Sequence, residues 1–150
     1  MIILLDLNFT LVANNPPRGT PNIAMHRRLP AEEYRQWLID LIRSHVVILM
    51  TARPAAWQEA TLESIRTKTG WSPHAACFAP AGWWNPPSIK EHLLRTEVFP
   101  EHGEDARYLA IESNPRTRMM YGRIPIPSIW VTGDGQRLTD GERILRRLPR

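Results

Sequence analysis

One cysteine, Cys77, stands in the whole chain, so no disulfide can close within it, which fits a reducing, cytoplasmic setting. Long apolar runs are missing as well. No stretch approaches the roughly 20 residues that cross a bilayer, and Met-Ile-Ile-Leu-Leu lacks a basic leader and is cut short by Asp6. Neither a membrane partner nor a signal peptide is expected. His26, His45, His74, His92 and His102 make no metal-ligand spacing with Cys77 and read as ordinary histidines. Internal repeats and low-complexity segments are absent. Lysine is scarce: Lys68 and Lys90 stand against 17 arginines.

What is present belongs to a globular protein. At 150 residues, 43% hydrophobic and 23% charged, the chain is one domain's length with enough apolar material for a core. The net charge of +4 rests on arginine, whose planar fork suits phosphate. A nucleotide or nucleic-acid partner follows from that, or else a general arginine bias in composition. The count leaves both open.

Apolar runs at Met1–Leu5, Val46–Met50 and Arg107–Ile111 predict strands buried on both faces, with further strands at about Ala75–Phe78 and Ser128–Val131. Helical spacing predicts helices over about 31–44, 55–68, from Ser88 onward, 116–121 and 140–147. Residues 13–30 read as a loop, Gly70 as a helix stop, and Ser88-x-x-Glu91 as a capping box. The terminal basic helix packs Ile144, Leu145 and Leu148 inward or touches nucleic acid. Alternating strands and helices give an α/β protein with an open, mostly parallel sheet.

Asp6, Thr51 and Glu112 each follow an apolar strand. In a parallel sheet those positions share the edge where ligands bind. Each alone is explained as a turn-former; together they suggest a site. Lys90 falls in the expected first turn of its helix, where the helix dipole disfavours a cation by roughly 0.3–1 kcal/mol. Solvent on a surface lysine offsets that cost, and so does a phosphate or carboxylate partner.

These residues resemble a known family. Asp6-Leu7-Asn8-Phe9-Thr10 is similar to the first motif, Asp-x-Asp-x-Thr, of the haloacid-dehalogenase-type phosphohydrolases. Thr51-Ala52-Arg53 resembles their second motif, Lys90 their third, and Tyr108-Leu-Ala-Ile-Glu112-Ser-Asn114 their acidic fourth. Within that family, the helix from Ser88 to Phe99, the strand into Glu112 and the Trp130-Val-Thr-Gly-Asp134 run are similar in layout to the phosphatase domain of phage polynucleotide kinase-phosphatase.

The resemblance implies a single Rossmann-like domain over 1–150, with a five-stranded central sheet, helices on both faces and no sizeable cap. It also implies roles. Asp6 would attack phosphorus and form an aspartyl-phosphate, Thr51 would bind a phosphoryl oxygen, and Lys90 would neutralise charge. Mg²⁺ would be held by Asp6, the carbonyl of Asn8, Glu112 and Asn114. Thr10, Arg53 and Ser113 would stand on the substrate side. Two departures go the same way. Asn8 replaces the acid that protonates the leaving oxygen and activates water, and Glu112-Ser113 replaces a pair of aspartates.

Two functions follow. The first is a Mg²⁺-dependent phosphohydrolase working through an aspartyl-phosphate on a nucleotide or nucleic-acid end, impaired at Asn8. An open site admits such ends, and Trp71, Trp83 and Trp84 would either stack on bases or pack in the core. The second is a catalytically inactive module of the same fold that binds a phosphorylated ligand or nucleic acid.

Overall fold

In the computed structural model, which describes residues 1–17, 19–130 and 139–149 (side chains of 139, 140 and 142 excepted), the apolar runs become a five-stranded sheet. The strands are β1 (Ile2–Asp6), β2 (Val46–Pro54), β3 (Ala75–Ala79), β4 (Tyr108–Glu112) and β5 (Ser128–Trp130). Their order is β3-β2-β1-β4-β5, and every pairing is parallel. The sheet is therefore all parallel, a Rossmann-like α/β architecture. Strand order reverses between β1 and β4, the place where such sheets open a crevice.

Seven α-helices accompany the strands among the described residues: α1 (Met25–Ala31), α2 (Gln36–Ile42), α3 (Gln58–Thr69), α4 (Pro86–Leu93), α5 (Phe99–His102), α6 (Pro115–Arg123) and α7 (Thr139–Arg146). The pleat sends alternate strand residues to opposite faces. Ile3, Leu5, Val47 and Leu49 meet Leu38, Ile39 and Ile42 of α2, Ile65 of α3 and Leu145 of α7. Leu4, Ile48 and Met50 meet Ile89 and Leu93 of α4 and Met120 and Tyr121 of α6. Each such side chain contributes about 1.5–3 kcal/mol by leaving water. Both faces are covered, which is why the strands read as continuous apolar runs.

The boundaries differ from the expected ones in ways that matter for the site. Residues 13–30 are not all loop, because α1 forms within them and Pro30 falls in its last turn. The helix expected from Ala31 begins instead at Gln36: Tyr34 bridges Val12, and Glu32 and Arg35 turn inward to other partners. Thr51 lies inside β2, which runs on to Pro54. Helix α4 is capped by Asn85, which accepts from the Ser88 N–H, and Pro86 takes its first position. The Ser88 capping box is thereby replaced, and Lys90 moves to the second turn. Gly70 does end α3, at φ 69°, with its N–H donated to the Arg66 carbonyl. Of the Trp130–Asp134 run, residues 131–134 lie outside the described residues, as does the expected end of β5 at Val131.

Cys77 on β3 is buried against the α4 face. Burial, reinforced by Glu97, pushes its thiol up to about 12. At pH 8 the folded protein should react with iodoacetamide roughly 10²-fold more slowly than the chain unfolded in guanidinium. Equal rates, followed by intact mass, would contradict this burial.

Candidate active site

β1 ends on Asp6, and the chain then makes one wide helical turn over Leu7–Leu11 instead of continuing straight. Phe9 takes a left-handed conformation there, φ 61° and ψ 4°, at a cost of order 1–3 kcal/mol for a residue with a side chain. Several hydrogen bonds hold the turn. The Phe9 N–H donates to Asn15 Oδ1 at 2.5 Å, the Thr10 hydroxyl to Asp6 Oδ2 at 2.6 Å, and Arg35 Nε to the Thr10 carbonyl at 2.8 Å. The strained turn thereby fixes Asp6 and presents the Asn8 carbonyl.

Lys90 comes from α4 across the sheet edge. Its Nζ stands 2.6 Å from Asp6 Oδ1 and 2.6 Å from Glu112 Oε2, with all three side chains buried. Burial works against the ammonium charge, but the two carboxylates outweigh it and hold the lysine well above its usual pKa. Glu112 ends β4. Burial first, and the Asp6 charge second, push its carboxyl up to about 7 against the pull of Lys90. Its Oε1 accepts the backbone N–H groups of Ser113 and Asn114, both at 3.0 Å.

These groups line a cavity of about 150 Å³ together with Asn8, Phe9, Thr51, Ala52, Pro86, Ser113, Asn114 and Thr117. Thr51 Oγ1 accepts from the Arg53 N–H at 3.0 Å, which leaves its own hydrogen for a ligand. The Asn8 amide is held by two guanidinium groups: Oδ1 accepts from Arg28 Nη2 and Arg53 Nη2, each at 2.9 Å. Its Nδ2 has no protein partner among the described residues.

The structure thus brings Asp6, Asn8, Thr51, Lys90, Glu112, Ser113 and Asn114 to one cavity, with Thr10 bracing it from behind. Arg53 is placed elsewhere. Expected on the substrate side, it is buried in a two-pronged pair with Glu32 (2.9 and 2.6 Å) and has no surface to offer a phosphate. Trp71 lies in the core and Trp83 stacks on His92 at 4.7 Å, whereas Trp84 is 90% exposed, two residues before the cavity-lining Pro86.

Three participants were not expected from sequence. Thr117 is fully buried in the cavity wall, and its hydroxyl has no partner among the described residues. Asn114-Pro115 reads as a helix start, which would have put Thr117 in the first turn of α6. Arg28 and Glu32 show i,i+4 spacing, a weak signal that does not reveal their destination.

The oxygens suit a cation only in part. Ser113 Oγ is 3.1 Å from Asp6 Oδ2 and 3.3 Å from the Asn8 carbonyl, so three oxygens converge. One is a carboxylate and two are neutral, a set that fits Mg²⁺ with water completing the shell. Glu112 and Asn114, the other expected ligands, are committed. Glu112 is taken by Lys90 and two N–H groups, and Asn114 Oδ1 accepts the Arg116 N–H that opens α6. No cluster of three or more His, Cys, Asp or Glu that could hold a metal occurs among the described residues.

Fold and cavity together define an α/β protein with a small polar cavity, built around a buried lysine, at the carboxyl edge of a parallel sheet. No known family model and no curated protein matches the chain. Among solved structures it is similar to a chain of the Pnkp1/Rnl/Hen1 RNA repair complex, with a TM-score of 0.66 over 87% of this chain and 17% sequence identity. The match spans 42% of that longer chain. At this identity the likeness is one of fold. No described helix is long and apolar enough to cross a membrane.

Removing Lys90 leaves two buried carboxylates facing one point. Lys90→Met should lower stability by about 3–5 kcal/mol, the cost of an uncompensated buried charge. Glu112 binds its proton more tightly folded than at its ordinary 4.5, so its contribution is fully present below about 4.5 and lost as pH rises through about 7. Lys90 is what pulls the Glu112 carboxyl down, so its removal raises that pKa further, and the Lys90→Met deficit should be larger at pH 8 than at pH 5. A deficit independent of pH in denaturant titrations would show that the carboxylates do not share this site.

Proposed function

We propose that this chain is a phosphoryl-transfer protein of the haloacid-dehalogenase type, in which Asp6 takes a phosphoryl group from a nucleotide or nucleic-acid end. The observation that carries the reading is Lys90 Nζ at 2.6 Å from both Asp6 and Glu112, beside the Thr51 hydroxyl in one small cavity. Phosphoryl transfer asks for positioning and charge compensation more than for covalent machinery, and this site offers both. The Asp6 carboxylate is fixed through both oxygens and faces the cavity. Lys90 would compensate charge on the transferring group, and the Thr51 hydroxyl and Asn8 amide would donate to its oxygens.

Mg²⁺, when bound, would be held by Asp6, the Asn8 carbonyl and Ser113, and would supply further charge compensation. Support for the substrate class comes from the arginine-borne net charge, exposed Trp84 near the cavity, and a structural neighbour belonging to an RNA repair complex.

A second reading, a module that binds a phosphorylated ligand without turnover, is favoured by the amide at position 8 and the commitment of Glu112 to Lys90. One experiment separates the two. With Mg²⁺ and phosphorylated nucleotides or oligonucleotides, the protein should accept or release phosphate in a manner lost in Asp6→Ala. Thr51→Val should slow that step about 10²-fold, as expected for one lost donor. Ligand binding with no difference between the parent and Asp6→Ala in phosphate transfer would leave the binding module.

A further inference from the structure

No ionisable side chain of the cavity is free of protein partners, so none is placed to hand a proton to a departing oxygen. Asn8 Oδ1 is turned to Arg28 and Arg53, so the face left for a ligand is its amide, which gives a hydrogen bond but does not ionise. Glu112 has both oxygens occupied as acceptors, by Lys90 on one side and two backbone N–H groups on the other. Lys90 is bound between carboxylates. The remaining polar lining, Thr51, Ser113, Asn114 and Thr117, consists of hydroxyls and an amide. A second cavity of about 320 Å³ adjoins at Phe9 and is lined by Asn15, Pro16, Thr20, Ile23 and Arg28 among others. A leaving group placed there meets the cationic Arg28.

We propose that the phosphoryl donor is a phosphoanhydride, such as the terminal phosphate of a nucleoside triphosphate or of a polyphosphorylated nucleic-acid end, and that the phosphoryl group then persists on Asp6. This rests on the Asp6 reading above and narrows its substrate class. A nucleoside hydroxyl leaves as a strong base and needs a proton in the transition state, help worth typically about 10²–10⁴-fold. A diphosphate leaves as a stable anion and needs none. In the step, an Asp6 carboxylate oxygen forms a bond to the terminal phosphorus. The bridging P–O bond breaks with its electron pair on the nucleoside diphosphate, and that anion departs toward Arg28. The product is an acyl phosphate. Its hydrolysis would need a base to activate water, and position 8 supplies none.

The test compares ATP with a 3′-phosphorylated oligonucleotide, each with Mg²⁺, following phosphate release and the intact mass of the protein, with Asp6→Ala as control. ATP should place one phosphoryl group on the chain, absent in Asp6→Ala, and phosphorylation by the oligonucleotide should be at least about 10²-fold slower. In Asn8→Asp, the carboxylate between two guanidinium groups stays ionised and can serve as a base. With ATP that variant should release phosphate continuously and hold little phosphoprotein. Continuous turnover of the oligonucleotide at a rate comparable to ATP would overturn the proposal while leaving the Asp6 reading intact. An unchanged phosphoprotein lifetime in Asn8→Asp would also overturn it. No Asp6-dependent phosphorylation from either donor would overturn both.

Discussion

The site depends on one buried cation. Lys90 is almost without solvent and would be costly to ionise alone, yet two carboxylates at 2.6 Å make its charge the stable state. The dependence runs in both directions. Asp6 and Glu112 are brought together by parallel strands that pair with each other, and without Lys90 they would repel in a medium that screens poorly. Helix α4 can deliver the lysine because Ile89 and Leu93, on either side of it, are anchored in the core under β1 and β2. The fold thus provides the electrostatic balance on which the proposed phosphoryl site rests.

Around this centre, a second buried ion pair sets the orientation of a neutral group. Glu32 binds Arg53 in two-pronged fashion, and Arg53 with Arg28 turns the side-chain Oδ1 of Asn8 away from the cavity. Two arginines therefore fix which end of the Asn8 amide faces the cavity. The strained turn at Phe9 belongs to the same construction, since straightening it would withdraw Asn8 from both guanidinium groups and Thr10 from Asp6.

Much of this was legible in the sequence. Continuous apolar runs ending on Asp6 and Glu112 were enough to expect parallel strands buried on both faces, and the sheet edge follows from them. Lys90 was recognisable as a lysine out of place, although the cap chosen by the chain, Asn85 followed by Pro86, put it one turn deeper than Ser88 suggested. What sequence did not show was where charged side chains terminate. Arg53, Glu32 and Arg28 look like surface residues by composition, and only the close approach of α1 to the end of β2 makes them an internal network. Thr117 was hidden for a related reason: a threonine in a helix carries no signal until the cavity beside it is known. Trp71 and Trp84, alike in sequence, were separated only by packing.

On the function proposed above, Asp6, compensated by Lys90, is the point of phosphoryl attachment. A crystal structure of the protein with Mg²⁺ and fluoroberyllate tests it most directly. Density should run continuous with the Asp6 carboxylate, with the fluoride atoms within hydrogen-bond reach of Lys90 Nζ and Thr51 Oγ1. A fluoroberyllate bound elsewhere, or an Asp6 carboxylate left bonded to Lys90 at high Mg²⁺ and fluoroberyllate, would contradict it.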